Sequence, residues 1–148
     1  MGITTKKGDL GQTMLKHQPV QKSAATIELL GTLDETIAQL VICYNLTADT
    51  SFQAVISDLS LIAAVTAGYK DSFDSTLIRK LDEKTAQFHS INTFSYPYND
   101  YNKSVINLTR TVARRLERVY WRYGCENLIN EDIAAYLNRL SDYLYTFL

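Results

Sequence analysis

The amino-acid sequence predicts an all-α protein, a five-helix antiparallel bundle that follows an N-terminal loop. Five segments keep their apolar residues at the three- and four-residue spacing of an amphipathic helix, and short connections join them. No segment alternates apolar and polar residues convincingly, as a half-buried strand would. The 148 residues are expected to form one domain, residues 1–148, with an arm over 1–22 and the bundle over 23–148.

The overall composition is typical of a soluble globular protein. Hydrophobic residues make up 46% of the chain and charged residues 21%, and the formal net charge is −1. So balanced a charge argues against a nucleic-acid partner, and every apolar run is much shorter than the roughly 20 residues that span a membrane. Cys43 and Cys125 show neither metal-ligand nor CxxC spacing, so we expect a reduced, cytoplasmic protein.

The N-terminal arm is polar, carries three glycines and shows no helical period. Its residues 5–13 combine flexible glycines, cations and small hydroxyls, and such loops can bring backbone N–H groups close to phosphate oxygens. The pattern GxxxxGK[ST] of a Walker A loop is absent. A flexible tail has the same composition, so the arm alone is compatible with both interpretations.

The first predicted helix spans about residues 23–45, and Asp34 lies near the edge of its apolar stripe, where an acid is usually exposed or paired. Thr50 and Gln53 resemble a capping box at the start of a second helix, which Gly68 ends as a C-cap. A third helix is predicted to reach about residue 89.

A break over residues 91–101 holds the aromatic side chains Phe94, Tyr96 and Tyr98 beside a proline. We interpret these aromatics as plugs of the core, with a stacking wall for a flat ligand as the alternative.

The fourth predicted helix, residues 102–123, concentrates cations. Within nine of its residues lie Arg110, Arg114, Arg115, Glu117 and Arg118. Three of the four arginines have no acid at the spacing of a helical ion pair, and guanidinium groups suit phosphate. The sequence therefore indicates an anion site, with a solvated basic face as the equal alternative. The apolar stripe of this helix is predicted to be Val105, Leu108, Val112, Leu116 and Val119.

The last predicted helix begins at an Asn130 cap and runs to the C-terminus. Near-heptad spacing suited to bundle packing is shown by Ile133, Leu137, Leu140, Leu144 and Phe147. Asn138 and Asp142, four residues apart, share one flank of this helix.

Four motifs in order connect these observations. They are Thr-Lys-Lys-Gly-Asp-Leu-Gly-Gln-Thr over 5–13, Gly-Thr-Leu-Asp-Glu over 31–35, Arg-Thr-Val-Ala-Arg-Arg-Leu-Glu-Arg over 110–118 and Tyr-Leu-Asn-Arg-Leu-Ser-Asp-Tyr-Leu over 136–144. Together they resemble the ATP:cob(I)alamin (corrinoid) adenosyltransferases of the helical-bundle class, and the first is similar to that family's nucleotide loop. The resemblance covers nearly the whole chain and marks a somewhat diverged sequence.

The resemblance implies an enzyme that transfers the 5′-deoxyadenosyl group of ATP to Co(I) of a reduced cobalamin or other corrinoid, with Mg²⁺, and releases triphosphate. It also implies a homotrimer with active sites at the subunit interfaces and a reductase as a further partner. The implied catalytic residues are Arg110, Arg114, Glu117 and Asp142, with Glu117 either orienting the arginines or assisting Mg²⁺. The implied ATP-binding residues are Thr5, Lys6, Gly8, Asp9, Gly11, Thr13, Lys22, Glu28, Arg115 and Asn138. The implied corrinoid-side residues are Phe94 and Asp34, the latter paired with Arg110 across the interface.

The sequence departs from the family pattern on the corrinoid side and in the nucleotide region, where Lys7 and Thr26 replace a usual threonine and arginine. Pro97-Tyr98-Asn99 stands where the family has Pro-Gly-Gly, Asn107 stands where a histidine is usual, and residues 16–19 replace a Gly-Gly-x-Arg segment. The alternative hypothesis is therefore a catalytically weak homologue that binds or delivers ATP or a corrinoid. A plain helical interaction module, whose arginines are structural, is the third.

Overall fold

The computed structural model describes residues 3–4, 6–88 and 96–148. Its elements are β1 (Gln12–Leu15), β2 (Gln18–Gln21), α1 (Ala25–Thr47), α2 (Ser51–Thr66), α3 (Thr76–Thr85), α4 (Tyr101–Tyr123) and α5 (Glu131–Tyr145). The predicted helical bundle is confirmed. Within the described ranges, no helix is long and apolar enough to cross a membrane.

The helices pack around a single apolar core. α1 contacts both α2 and α4, α4 packs against α5, and α3 lies against α5. The largest fully buried side chains are Tyr136, Phe52, Leu29, Leu33, Leu40, Leu59, Ile62, Leu116, Ile133, Leu137, Leu140 and Leu144. Burial of these side chains is the main stabilising term of the fold and holds α4 and α5 side by side.

Side-chain contacts define the antiparallel order of the bundle. Cys43 of α1 lies 3.2 Å (Sγ to Oγ1) from Thr109 of α4, whereas Glu35, two turns earlier, is paired with Arg115. The sequence numbers therefore run in opposite directions along α1 and α4. α4 and α5 are antiparallel as well, since they are joined by the short connection over 124–130.

Two of the predicted helix ends are confirmed and one is wrong. The Asn130 side chain accepts hydrogen bonds from two backbone N–H groups of α5, and Gly68 has a φ of 77°, the left-handed conformation of a helix end. The capping box at Thr50 does not form. Thr50 has helical dihedral angles (φ −64°, ψ −13°), unlike the extended ones typical of an N-cap, and the carboxylate of Asp49 accepts a hydrogen bond of 2.8 Å from the backbone N–H of Ser51.

The apolar stripe predicted for α4 was wrong at one position. Leu108 is 53% exposed, whereas Ile106, Thr109 and Ala113 are buried. Thr109 can occupy the seam because its hydroxyl donates to the backbone carbonyl of Val105 and so satisfies its polar atom. A buried threonine hides the true phase of the helix from a pattern that counts apolar residues alone.

A β-hairpin replaces part of the predicted N-terminal loop. β1 pairs antiparallel with β2, with Leu15 opposite Gln18, so Lys16 and His17 form a two-residue turn. Both turn residues have positive φ, 47° and 66°. Such turns usually contain Asn-Gly or similar pairs. Lys-His carries no such signal, and the hairpin was therefore missed.

The prediction that aromatic side chains between α3 and α4 fill the core was wrong for the two that the structure describes. Tyr96 and Tyr98 are exposed, Tyr98 by 82%, and their ring centroids lie 6.2 Å apart. Phe94, the third, lies outside the described residues.

Candidate functional site

One side of α4 carries Arg110, Arg114 and Glu117, and we call it the arginine face. Spacings of four and three residues place these side chains one above another, while Leu116 and Tyr120 lie on another side of the helix, in the core. The Arg114 guanidinium is exposed and makes no ion pair or hydrogen bond within the described part of the chain. It is an uncompensated cation on a rigid helix.

Arg110 is half-buried and held in place by its neighbours. Its Nε donates a hydrogen bond of 3.0 Å to Oδ1 of Asn107, and its guanidinium carbon lies 6.0 Å from the ring centroid of Tyr145 in α5. These two contacts orient the guanidinium fork before any ligand is present.

Arg115 does not share the arginine face. It lies next to Arg114 in sequence and is therefore about 100° further around the helix, on the side of α1. There its Nη2 is paired with Oε1 of Glu35, and both side chains are half-exposed. A surface pair of this kind contributes about 0–1 kcal/mol, so the contact orients Arg115 more than it stabilises the fold. Glu35 was not predicted as its partner.

Glu117 links the arginine face to α5. Nδ2 of Asn138 donates a hydrogen bond of 3.0 Å to Oε1 of Glu117. The two residues lie in an open groove of about 440 Å³, lined by Glu117, Trp121, Glu131, Ala134, Ala135 and Asn138. Asp142, one turn after Asn138, is exposed on the same flank of α5. The structure therefore brings Glu117 of α4 and Asn138 of α5 together.

Buried tyrosines fix α5 in its place beside the arginine face. The Tyr120 hydroxyl donates to the carbonyl of Asn130 at 3.1 Å and accepts from its backbone N–H at 3.0 Å. The hydroxyl of Tyr136 donates to Oδ2 of Asp58 in α2 at 2.9 Å. Burial raises the pKa of both tyrosines and of Asp58. Both phenols therefore remain protonated donors at neutral pH.

The N-terminal segment forms a second group of predicted residues. The backbone N–H of Lys22 donates to the carbonyl of Gly11 at 2.9 Å, which closes the base of the hairpin. Nζ of Lys22 lies 3.0 Å from the position that a Cβ on Gly8 would take, so this glycine allows the ammonium group to approach the backbone. A cavity of about 400 Å³ is lined by Lys7, Gly8, Gln12, Thr13, Met14, Pro19 and Lys22. Lys6, Asp9 and Gly11 are exposed nearby in sequence, and Thr5 lies outside the described residues.

The predicted acids of α1, Glu28 and Asp34, are both exposed. Glu28 lines a cavity of about 490 Å³ at the start of α1, which Arg122 of α4 also lines. Asp34 is exposed, and the described residues show no ion pair between it and Arg110. Its pairing with a neighbouring subunit stays a prediction, as does the role of Phe94, which lies outside the described residues.

The loop before α4 meets the arginine face at Asn107. A cavity of about 300 Å³ is lined by Tyr96, Pro97, Tyr98, Asn99, Ser104 and Asn107. Asn99 has a φ of 63°, which asparagine tolerates better than most side chains, so it can replace a glycine without changing the backbone. Asn107 therefore belongs both to this cavity and to the hydrogen bond that orients Arg110.

Comparison with known proteins gives a consistent result. Residues 3–148 match the family model described as cobalamin adenosyltransferase. The chain is 32% identical to the corrinoid adenosyltransferase PduO of Salmonella typhimurium over 98% of its own length, and it spans about half of that protein (48%). It is 30% identical to the corrinoid adenosyltransferase of Bacillus subtilis, covering 98% of this chain and 83% of the other. A solved structure of a variant PduO-type ATP:corrinoid adenosyltransferase from Lactobacillus reuteri, complexed with cobalamin and ATP, superposes with a TM-score of 0.82 at 23% identity over 99% of this chain and 88% of that one.

Proposed function

The chain belongs to the cobalamin adenosyltransferase family, and we propose that it transfers the 5′-deoxyadenosyl group of ATP to Co(I) of a reduced corrinoid. Co(I) attacks the 5′ carbon of ATP, a cobalt–carbon bond forms, and the bond between that carbon and the triphosphate oxygen breaks. The electron pair leaves with triphosphate. Reduced cobalt is itself the nucleophile, so the protein has to provide position and charge.

The observation that carries this proposal is the uncompensated guanidinium of Arg114 beside the Glu117–Asn138 hydrogen bond. Negative charge grows on the leaving triphosphate, and a cation held in advance by a packed helix stabilises it without reorganisation. Arg110, already oriented by Asn107, supplies a second guanidinium. Asp142 stands one turn further along α5, where the nucleotide and the corrinoid meet in this proposal.

We propose that the N-terminal segment completes the binding site for the nucleotide. Lys22, Thr13 and the backbone around Gly8 offer donors to phosphate oxygens. Within the described ranges, no three His, Cys, Asp or Glu side chains cluster as a metal site. The proposal includes a Mg²⁺ ion that the ATP phosphates carry, with Glu117 as a single protein ligand, which is how proteins commonly hold Mg²⁺. The ion would neutralise charge on the phosphates.

The proposal includes a homotrimer in the cytoplasm whose sites lie between subunits, served by a reductase. One feature that supports an assembly is the exposure of Asp34 on α1, where its carboxylate is accessible to an arginine of a second copy. Sedimentation velocity of the purified protein tests this part directly, and a monomer at micromolar concentration would contradict it.

A second candidate function rests on the loop before α4. Tyr98 is 82% exposed at a position where a glycine is usual in the family, and it lines the cavity that includes Asn107. A tyrosine ring there could occupy the space of the corrinoid, leaving a protein that binds and delivers ATP or a corrinoid with little turnover.

An absorption assay separates the two functions. Purified protein is mixed with ATP, Mg²⁺ and chemically reduced cobalamin, and the Co(I) band is followed with time. We expect the band to disappear and triphosphate to form in equal amount. If the band persists while calorimetry shows ATP binding, the delivery protein is the better description. Absence of ATP binding would contradict both.

A further inference from the structure

Trp121 extends the arginine face by one more turn of α4. The spacings from Arg110 to Arg114, to Glu117 and to Trp121 are four, three and four residues, so all four side chains share one side of the helix. Trp121 is 54% exposed and is the only tryptophan of the chain. The core does not require it, because Leu116 and Tyr120 fill the buried seam at this level.

The surroundings of Trp121 are those of a binding groove. Its indole lines the open groove of about 440 Å³ together with Glu117 and Asn138, whose side chains are joined at 3.0 Å. The small side chains of Ala134 and Ala135 on α5 line the same groove, as does Glu131 at the start of that helix. A flat apolar surface, two small residues and a few polar groups suit a flat heterocycle.

The distance along the helix matches a ligand with an anionic and an aromatic end. Trp121 follows Arg114 by seven residues, which is about 10 Å at 1.5 Å per residue. The Glu117–Asn138 pair lies between them. A molecule whose phosphates contact the guanidiniums would thus place its sugar near Asn138 and its base beside the indole.

We propose that Trp121 is the stacking surface for the purine base of the nucleotide, so that one stripe of α4 binds ATP from phosphate to base. This inference rests on the proposed function. Stacking is an interaction that the ground state and the transition state share, so Trp121 contributes to nucleotide affinity and not to the rate of transfer.

The single tryptophan makes a direct test possible. A purine stacked on an indole quenches its fluorescence, so titration of the intact protein with ATP should reduce the emission, whereas tripolyphosphate should bind with little change in emission. Trp121→Ala should weaken ATP binding about tenfold in calorimetry and leave tripolyphosphate binding unchanged. Trp121→Phe keeps a ring and should retain most of the affinity. In turnover, Trp121→Ala should raise KM for ATP at constant kcat.

Tyr69→Leu is the matched control, because it removes another exposed aromatic side chain that lies outside the groove. It should not change ATP binding. The proposal is overturned if ATP binds in calorimetry with unchanged Trp121 emission, a result that leaves the proposed function intact. It is also overturned if Trp121→Ala weakens ATP and tripolyphosphate equally, or if it changes the sedimentation of the protein, since the indole would then serve a subunit contact. Absence of ATP binding to the wild type overturns both proposals together.

Discussion

The arginine face of α4 rests on a buried seam, whereas the N-terminal segment over residues 6–22 lies mostly in solvent. Leu116 and Tyr120, on another side of α4, are almost fully buried, and the neighbouring helix α5 is held by Tyr136 and its hydrogen bond to Asp58. In the N-terminal segment, Gly8, Thr13, Leu15 and Val20 reach only intermediate burial. The two regions carry different halves of the same proposed nucleotide site.

The two halves of the proposed nucleotide site obtain their geometry from different interactions. Core packing fixes α4 and α5 relative to each other, so the backbone positions that carry the site residues are set before a ligand binds. The hairpin depends on a few hydrogen bonds. One is the bond of 2.6 Å from Nζ of Lys16, at its tip, to the backbone carbonyl of Gly68 at the end of α2. We therefore expect substitutions on α4 and α5 to affect catalysis or folding. Substitutions in the hairpin should affect nucleotide affinity.

The largest effect is expected from Arg114→Ala on the arginine face. Removing one preorganised donor to a developing charge typically lowers kcat about 10²- to 10³-fold. Arg114 is exposed and unpaired within the described residues, so helicity and the midpoint of thermal unfolding should remain near those of the wild type. The measurement is the rate of loss of the Co(I) band, with circular dichroism on the same sample. Arg79→Ala, which removes an exposed arginine paired with Glu83 on α3, is the matched control. Near-normal turnover of Arg114→Ala would show the assignment to be wrong.

A smaller effect, on stability, is expected where α5 is fixed. Asp58→Ala leaves the fully buried Tyr136 hydroxyl without its acceptor, which should lower the free energy of unfolding by about 1–3 kcal/mol. Asp58→Asn keeps an acceptor oxygen and should cost less. Urea unfolding measures both variants, and equal losses would contradict the role of the hydrogen bond.

Asp58 also makes the free energy of unfolding depend on pH, with a sign that follows from its pKa shift. Burial raises the pKa of Asp58 above its ordinary value of 3.8, so the folded state favours the neutral acid. Its stabilising contribution is complete below the unfolded pKa and is lost as the pH rises through the folded pKa. The free energy of unfolding of the wild type should therefore fall relative to that of Asp58→Asn as the pH rises above 3.8. A pH-independent difference between the two would contradict the shift.

The sequence predicted the features that follow from local periodicity, but it did not predict the contacts between elements. The five helices, the Asn130 cap and the shared flank of Asn138 and Asp142 follow from a period of 3.6 residues, which the sequence displays directly. The partners that orient the arginines do not follow from it. Glu35 pairs with Arg115 across two helices, and a contact between elements depends on their relative rotation, which no local pattern records.

Asn107 and the hairpin show two further limits. Asn107 was noted only as a departure from the family, yet its amide oxygen accepts the Arg110 hydrogen bond, a role that an unprotonated histidine nitrogen could also fill. The turn at Lys16 and His17 places two side chains at positive φ, which sequence statistics disfavour. Its tip is tied to Gly68, so a tertiary contact favours a conformation that the local sequence does not.

The smallest effect is expected from Lys16→Asn. This substitution removes the hydrogen bond to the Gly68 carbonyl and keeps a residue that suits the turn. Asparagine tolerates the left-handed conformation at least as well as lysine, so the hairpin should persist while the ammonium that binds the Gly68 carbonyl is lost. An exposed hydrogen bond of this kind contributes about 0.5–1.5 kcal/mol, so KM for ATP should rise about two- to tenfold with kcat unchanged. His17→Asn alters the neighbouring turn residue and keeps Lys16, and it should leave KM unchanged. If Lys16→Asn lowered kcat while KM stayed constant, the hairpin would belong with the arginine face as a preorganised part of the catalytic site, and the contrast between the two regions would be wrong.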